Sequence, residues 1–111
     1  MTNIPLKMLK QMFKNMRDKS GWDTDAELLW GYFFTDPNPE KLNPIAEHLK
    51  NAGYRIVKIY RTDDRSTNFL HVERIEHHTP ASLHRRNGEL QSLAESFSIE
   101  SYDGMDVGPV K

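Results

Sequence analysis

Histidines and carboxylates are the side chains of this 111-residue chain that could do acid–base chemistry, since it has five His, sixteen Asp and Glu, and no Cys. The most promising pair is His71 and Glu73, because residues two apart share one face of a strand. This pair could chelate a metal or exchange a proton, although the same spacing is typical of a polar spot on a sheet. His77 and His78 are adjacent and point to opposite faces of a strand. We therefore predict no metal site, no cofactor and no catalytic residue.

Several other kinds of site are excluded by the absence of their motifs. The chain has no glycine-rich phosphate loop, no Gly-x-Ser-x-Gly turn and no His-Glu-x-x-His pair. Without Cys it has no disulfide, no thiol nucleophile and no Cys-ligated zinc. Its longest apolar run, residues 28–34, is too short to span a membrane, and its first residues lack the apolar stretch of a signal peptide. We expect a cytoplasmic protein that is not an enzyme.

The elements that must position these side chains follow from local patterns. Residues 5–17 have apolar residues at helical spacing on one face, and Ser20-Gly21 ends that helix. Apolar or alternating runs predict strands at residues 28–34, 54–60, 69–75 and 102–107. Between them, Asn38 or Asp36 caps a helix that stops at Gly53, and Thr79 caps another. The order predicts an α+β, ferredoxin-like βαββαβ fold: a four-stranded antiparallel sheet with two helices on one face, preceded by an amphipathic helix.

The charge pattern divides the chain into two predicted parts. Residues 1–19 carry a net charge of +4, whereas residues 20–111 carry −5. We therefore place a basic amphipathic helix at residues 1–21 and the ferredoxin-like domain at residues 22–111. The helix either packs on its own domain or binds a partner or a membrane surface.

Strand alternation predicts which side chains the two helices cover. It assigns these residues to the covered face: Leu29, Phe33, Val57, Ile59, Leu70 and Val72. It assigns these to the open face: Trp30, Tyr32, Phe34, Tyr54, Ile56, Lys58, Tyr60, Phe69, His71 and Glu73. In the first strand the assignment could shift by one, because every position there is apolar or Gly. The open face carries more aromatic surface than a solvated face should, so it is covered by the N-terminal helix, a second copy of the chain or a ligand.

Aromatic residues on a βαββαβ sheet also suggest RNA, since bases stack on such a platform. However, the body carries −5, which repels phosphate. The third strand lacks the Gly/aromatic pattern of an RNA-recognition motif. We predict no direct binding to nucleic acid.

Four stretches of the chain resemble a known family. They are Gly53-Tyr54-Arg55, Thr79-Pro80, the helix from His84-Arg85-Arg86 to Leu93-Ala94, and the block from Tyr102-Asp103-Gly104 to Pro109. Together they resemble the ribonuclease E inhibitor family, regulator of ribonuclease activity B (RraB-like), over about residues 22–110. The resemblance implies a ferredoxin-like domain that binds and inhibits an endoribonuclease of the RNA-degradation machinery. We interpret Asp103-Gly104 as structural, because Gly permits the positive φ of a bulge.

Two functions remain open at this point. The first is a non-enzymatic protein-binding regulator whose contact candidates are Trp30, Tyr32, Tyr60, His71 and Glu73. The second is a homodimer that encloses a small-molecule pocket between two aromatic sheet faces, with Tyr60, His71 and Glu73 as its polar groups.

Overall fold

The computed structural model describes residues 4–110, which form three α-helices and one four-stranded antiparallel sheet. In chain order the elements are α1 (Leu6–Asp18), β1 (Leu28–Asp36), α2 (Leu42–Asn51), β2 (Arg55–Arg61), β3 (Asn68–Glu76), α3 (Pro80–Ser96) and β4 (Ser101–Gly108). A single 3-10 turn, Pro39–Lys41, leads into α2. The predicted parts at 1–21 and 22–111 include residues 1–3 and 111, which lie outside the described residues.

The helix ends follow from local chemistry that is readable in the sequence. The Asn38 side chain accepts a hydrogen bond from the Glu40 amide at 3.0 Å and so caps the 3-10 turn before α2. Gly53 has a φ of +98° just after α2, a conformation that favours glycine. Thr79 and Ser82 form a reciprocal capping box at the start of α3, with bonds of 3.1 and 2.8 Å.

The sheet has the strand order β2-β3-β1-β4, with every neighbouring pair antiparallel. Strands β1 and β3 are therefore the central pair. Two irregularities interrupt the ladder. In β2 the register shifts between Ile56 and Lys58, and in β4 it shifts opposite Phe33 and Phe34. Gly104 lies at the second shift with a φ of +127°, as expected for the bulge.

One face of the sheet packs against the helices in a single apolar core. The fully buried side chains of β1 and β3 in this core are Trp30, Tyr32, Phe34, Leu70 and Val72. The helices contribute Leu9, Phe13, Met16, Leu42, Ile45, Leu49, Leu83, Leu90 and Ala94. We call this side of the sheet the covered face.

Helix α1 does not cover the open face, which was one of its predicted positions. The Phe13 ring stacks on Trp30 with centroids 5.9 Å apart, and Trp30 belongs to the covered face. The helix therefore extends the core beside α3 instead of covering the open face, so that expectation was wrong. Its basic side chains remain exposed on the opposite side: Lys7, Lys10, Lys14 and Arg17.

The predicted alternation was correct in β3 and wrong in β1. Leu70 and Val72 are buried as expected, but Phe34 and Tyr32 pair with them across the ladder and share their face. In β2, Ile56 pairs with Val72 and faces the core as well, because the register shift changes the alternation there. Tyr54, which was also expected on the open face, is 6% exposed.

Candidate functional site

The uncovered face of the sheet is the surface most suited to binding. The ladder register places these residues on it: Leu29, Gly31, Phe33, Arg55, Lys58, Tyr60, Phe69, His71, Glu73, Ile75, Gly104 and Asp106. We call this set the open face. Its large apolar and aromatic side chains are half-buried or exposed, and no helix of the described residues packs over them.

Four rings form a continuous row across β2, β3 and β1. Tyr60 stacks on Phe69 with centroids 5.6 Å apart and an interplanar angle of 19°. Phe69 meets Phe33 edge to face at 6.3 Å, and Phe33 stacks on His71 at 4.3 Å and 17°. These contacts order the row without help from any other element, since cross-strand aromatic pairs stabilise a sheet. We call these four residues the aromatic row.

The rings of the row stand on the sheet instead of lying flat on it. Phe33 and His71 are directly opposite on adjacent strands, and neighbouring strands lie about 4.8 Å apart. Rings stacked at nearly that spacing must face each other across the strands, so they turn their edges to solvent. Base stacking needs free ring faces, and the row offers few of them. This geometry favours contact with protein side chains over contact with bases.

The charges on the open face are unevenly paired. The Arg55 Nε donates a hydrogen bond to Glu73 Oε1 at 2.6 Å, and the Lys58 ammonium lies 4.7 Å from the centre of the Tyr60 ring. Asp106 is exposed and has no hydrogen bond or ion pair within residues 4–110. The face is therefore basic along β2 and acidic along β4.

Two glycines lie where β1 and β4 meet on the open face. Gly31 lies opposite Asp106, and Gly104 lies opposite Phe33. A Cβ on Gly31 would collide with the Asp106 carboxylate and lie 2.9 Å from His71 Nε2. The Asp106 and His71 side chains therefore fill the space above Gly31, and both glycines are buried.

The structure separates the five predicted contact residues into two groups. Tyr60, His71 and Glu73 lie together on the open face, whereas Trp30 and Tyr32 are 1% and 0% exposed in the core. The prediction that Trp30 and Tyr32 lie on the open face is therefore wrong, because their side chains are buried in the core. Sequence reasoning missed Phe33 and Asp106. Residues 28–34 are all apolar or Gly, so the pattern within β1 fits burial of either face. Phe33 was therefore assigned to the covered face although it lies on the open one.

A buried polar cluster explains why Tyr32 faces inward. The Tyr32 hydroxyl donates to Glu76 Oε2 at 2.6 Å and lies 3.0 Å from His78 Nε2. The other ring nitrogen of His78 lies 2.9 Å from the Ser82 hydroxyl in α3. Arg86 completes the cluster through a 2.8 Å bond to Glu76 Oε1. The cluster ties the end of β3 to α3.

Glu76 is the centre of this cluster and is held ionised. Burial raises the pKa of its carboxyl, but hydrogen bonds from His78 and Tyr32 outweigh that effect. The charges of His78 and Arg86 add to it, and the pKa falls to about 2. Burial and the neighbouring carboxylate raise the pKa of Tyr32 well above its usual range, so it stays a hydroxyl donor. The acid–base groups here bind one another, with only 13% of the Glu76 side chain reaching solvent.

The residues that carry the family resemblance have structural roles in the fold. Gly53 ends α2, and Gly104 adopts the positive φ of the β4 bulge. Tyr102 is fully buried, and its hydroxyl donates to Asn87 Oδ1 in α3 at 2.6 Å. Asp103 is exposed at the bulge. These roles are positional, as the sequence pattern predicts for Asp103-Gly104.

A second depression runs between α2 and the edge strand β2. It has a volume of about 940 Å³ and is lined by Ala46, Glu47, Tyr54, Ile56 and Ile59 among others. It is an open groove of mixed polarity, and Lys50 and Arg55 also line it.

Two kinds of site find no support in residues 4–110. No three His, Asp or Glu side chains come close enough together to hold a metal ion. Over the same residues, no helix has the length and apolar character needed to cross a membrane.

Comparison with known proteins identifies the family. The chain matches the family model RraB, regulator of ribonuclease activity B, over residues 7–107. That range includes α1, which the sequence resemblance from about residue 22 had left outside. A search of the curated proteins gives no match. Since the family model spans nearly the whole chain, this protein belongs to the RraB family of regulators of ribonuclease activity.

Proposed function

We propose that this protein is a non-enzymatic inhibitor that binds an RNA-degrading endoribonuclease in the cytoplasm through its open face. Family membership supports a regulatory role. The observed strand order β2-β3-β1-β4, with a helix in each crossover, supports a ferredoxin-like fold. In this proposal the protein acts by occupying a surface of the enzyme and does not touch RNA itself.

The aromatic row is the observation that carries the proposal. Aromatic residues dominate the energy of protein–protein contacts when they are prearranged and surrounded by polar groups. Tyr60, Phe69, Phe33 and His71 are already ordered by their mutual stacking. Arg55, Lys58, Glu73 and Asp106 form a charged rim around them. Such a surface loses little conformational entropy on binding.

An RNA-cleavage assay tests the proposal. A purified endoribonuclease of the RNA-degradation machinery cuts a fluorogenic RNA oligonucleotide while the full chain is titrated in. We expect the cleavage rate to fall with a saturable dependence on the chain, and the chain alone to leave the RNA intact. Absence of inhibition, or cleavage by the chain itself, contradicts the proposal.

Variants of the aromatic row locate the interface. Tyr60→Thr and Phe69→Thr keep the strand preference of these positions while removing the rings. We expect each to raise the concentration needed for half inhibition about tenfold, the effect of losing about 1.4 kcal/mol of binding energy. Met8→Thr is the matched control, since Met8 is 60% exposed on α1, on the other side of the molecule. Equal effects from the control and the row variants would contradict an interface on the open face.

The homodimer remains the alternative that the same surface favours. An uncovered aromatic face can pack on a second copy, and two such faces would bring Tyr60, His71 and Glu73 of each copy together. Sedimentation velocity between about 1 and about 300 μM, a range that covers weak association, separates the two. A dimer that dissociates on Phe69→Thr would support the alternative, and a monomer throughout would remove it.

A further inference from the structure

We propose that the edge strand β2 binds an extended, acidic segment of a partner protein, which pairs with β2 as a further strand of the sheet and places apolar side chains in the groove between β2 and α2. This site is separate from the open face and does not require that the partner is a ribonuclease, so it goes beyond the proposed function. Three features support it: the free backbone edge of β2, two isoleucines in the groove and the positive charge around them.

The outer edge of β2 offers backbone hydrogen bonds. In the strand order β2-β3-β1-β4, β2 pairs with β3 on one side, and the described residues place no strand on its other side. In a strand with one neighbour, every second residue turns its N–H and C=O away from the sheet. An extended peptide can therefore pair with this edge through its own main chain.

The groove contains two isoleucines that the helices leave half-buried. Ile56 pairs with Val72 of β3. Ile59 pairs with Leu70, so both isoleucines lie on the covered face. Residues three apart in a regular strand lie on opposite faces, and the register shift between these two brings them to the same one. Val72 and Leu70 are fully buried, whereas the isoleucines still line the groove beside α2. Alternate apolar side chains of an added strand would cover them.

The surroundings of the groove are positively charged. The cations along β2 and the facing end of α2 are Lys50, Arg55, Lys58 and Arg61. Glu73 neutralises Arg55, and Glu47 also lines the groove, so positive charge is in excess. The strand at the opposite edge of the sheet, β4, has two acidic residues and no basic one. An acidic segment is therefore attracted to the edge at β2 and repelled from the edge at β4.

An NMR titration of the isotope-labelled full chain with synthetic peptides tests this inference. The acidic probe alternates glutamate and valine over seven residues, the length of β2, and its ends are blocked. At about pH 7 the charges of its glutamates keep it from pairing with itself. We expect saturable shifts of the amides of residues 55–61, with a Kd below about 1 mM. A probe with lysine in place of glutamate should bind at least about fivefold more weakly.

Three results of this titration would overturn the proposal. They are the absence of a saturable shift in β2, equal affinity of the two probes, and shifts of equal size in β4 at the other edge. Shifts of β2 that grow with the concentration of the chain in the absence of peptide would show that a second copy occupies this edge, and would also overturn it.

Methylated probes distinguish strand addition from general adhesion. In an added strand only alternate N–H groups face β2, and the others face solvent. One probe is N-methylated at every valine and another at every glutamate. We expect one of them to lose at least about tenfold in affinity and the other to stay within about threefold of the unmethylated probe. Equal affinity of the two methylated probes contradicts pairing with the edge.

Matched substitutions locate the site on the protein. Ile59→Thr keeps the strand preference and removes apolar surface from the groove, whereas Ile75→Thr makes the same change at an exposed position of β3. Lys50→Glu reverses a charge beside the groove, and Lys10→Glu does so on the exposed side of α1. We expect Ile59→Thr and Lys50→Glu each to weaken the acidic probe about fivefold, and both controls to leave it within about twofold. Equal losses in a variant and its control contradict the site.

The RNA-cleavage assay separates this inference from the proposed function. If the natural chain binds the acidic probe at β2 but does not inhibit the ribonuclease, the proposed function fails and strand addition stands. If the chain inhibits the ribonuclease but no probe binds at β2, strand addition fails and the proposed function stands.

Discussion

Replacing Glu76 with glutamine removes the negative charge on which Tyr32, His78 and Arg86 converge. The substitution keeps the size of the side chain and one acceptor oxygen, so it tests the charge and leaves the packing of the covered face intact. The Glu76 side chain is 13% exposed and Arg86 is 23% exposed. Solvent therefore screens this pair much less than it screens a surface ion pair.

The magnitude follows from the pKa of Glu76. Its fall from 4.5 to about 2 is worth about 3 kcal/mol of folding free energy, at about 1.4 kcal/mol per pH unit. Because the folded-state pKa is the lower one, this stability is fully present above pH 4.5 and is lost as the pH falls toward 2. By about pH 3, about 2 kcal/mol of it is gone. The Glu76→Gln variant has no such charge, so it should be less stable than the natural chain by about 3 kcal/mol at about pH 7 and by about 1 kcal/mol at about pH 3.

Urea unfolding followed by tryptophan fluorescence measures both numbers, because Trp30 lies against His78 with centroids 5.2 Å apart. Glu89→Gln is the control: Glu89 is 59% exposed and lies 3.8 Å from the same Arg86. We expect that control to cost no more than about 0.5 kcal/mol at either pH. The reasoning is refuted if Glu76→Gln costs as little as the control, or if its cost is the same at neutral and acidic pH.

Three further substitutions test other parts of the fold by the same unfolding measurement. Phe13→Ala should cost about 3–5 kcal/mol, since the ring is buried in the core, while Met8→Ala on the exposed side of α1 should cost less than about 0.5 kcal/mol; equal costs would mean that α1 is not part of the core. Tyr102→Phe should cost about 1–3 kcal/mol because it leaves the buried Asn87 oxygen without its donor, and a neutral result would show that another group satisfies that oxygen. Thr79→Ala should cost about 1 kcal/mol through loss of the α3 cap, and an unchanged midpoint would contradict the capping box.

The candidate site shows where prediction from sequence succeeded and where it stopped. His71 and Glu73 lie on one face because β3 alternates polar and apolar residues, and that pattern is readable along the chain. Tyr60 of β2 shares this face because it pairs with Phe69 of β3. Trp30 and Tyr32 were misplaced because each residue from 28 to 34 is apolar or Gly, so both faces of β1 look suitable for a core. The buried partners of Tyr32 decide between them, and these come from residues 76 and 78.

The position of the Asp106 side chain over Gly31 lay beyond sequence reasoning for a different reason. Gly31 and Asp106 are far apart in the chain, and their juxtaposition depends on the β1–β4 register. A register is a property of two strands and of the bulge between them. The pattern within either strand contains no information about it.

The sequence by itself determined the helices and strands, their caps at Asn38 and Thr79, and the turn at Gly53, because these depend on neighbours a few residues away. It also determined the family, since the matching residues span the whole core. Only the tertiary structure decided which face of β1 is buried and where α1 docks. In both cases different apolar surfaces could be buried with a similar gain in free energy. Contacts between residues distant in the chain determine which surface is buried.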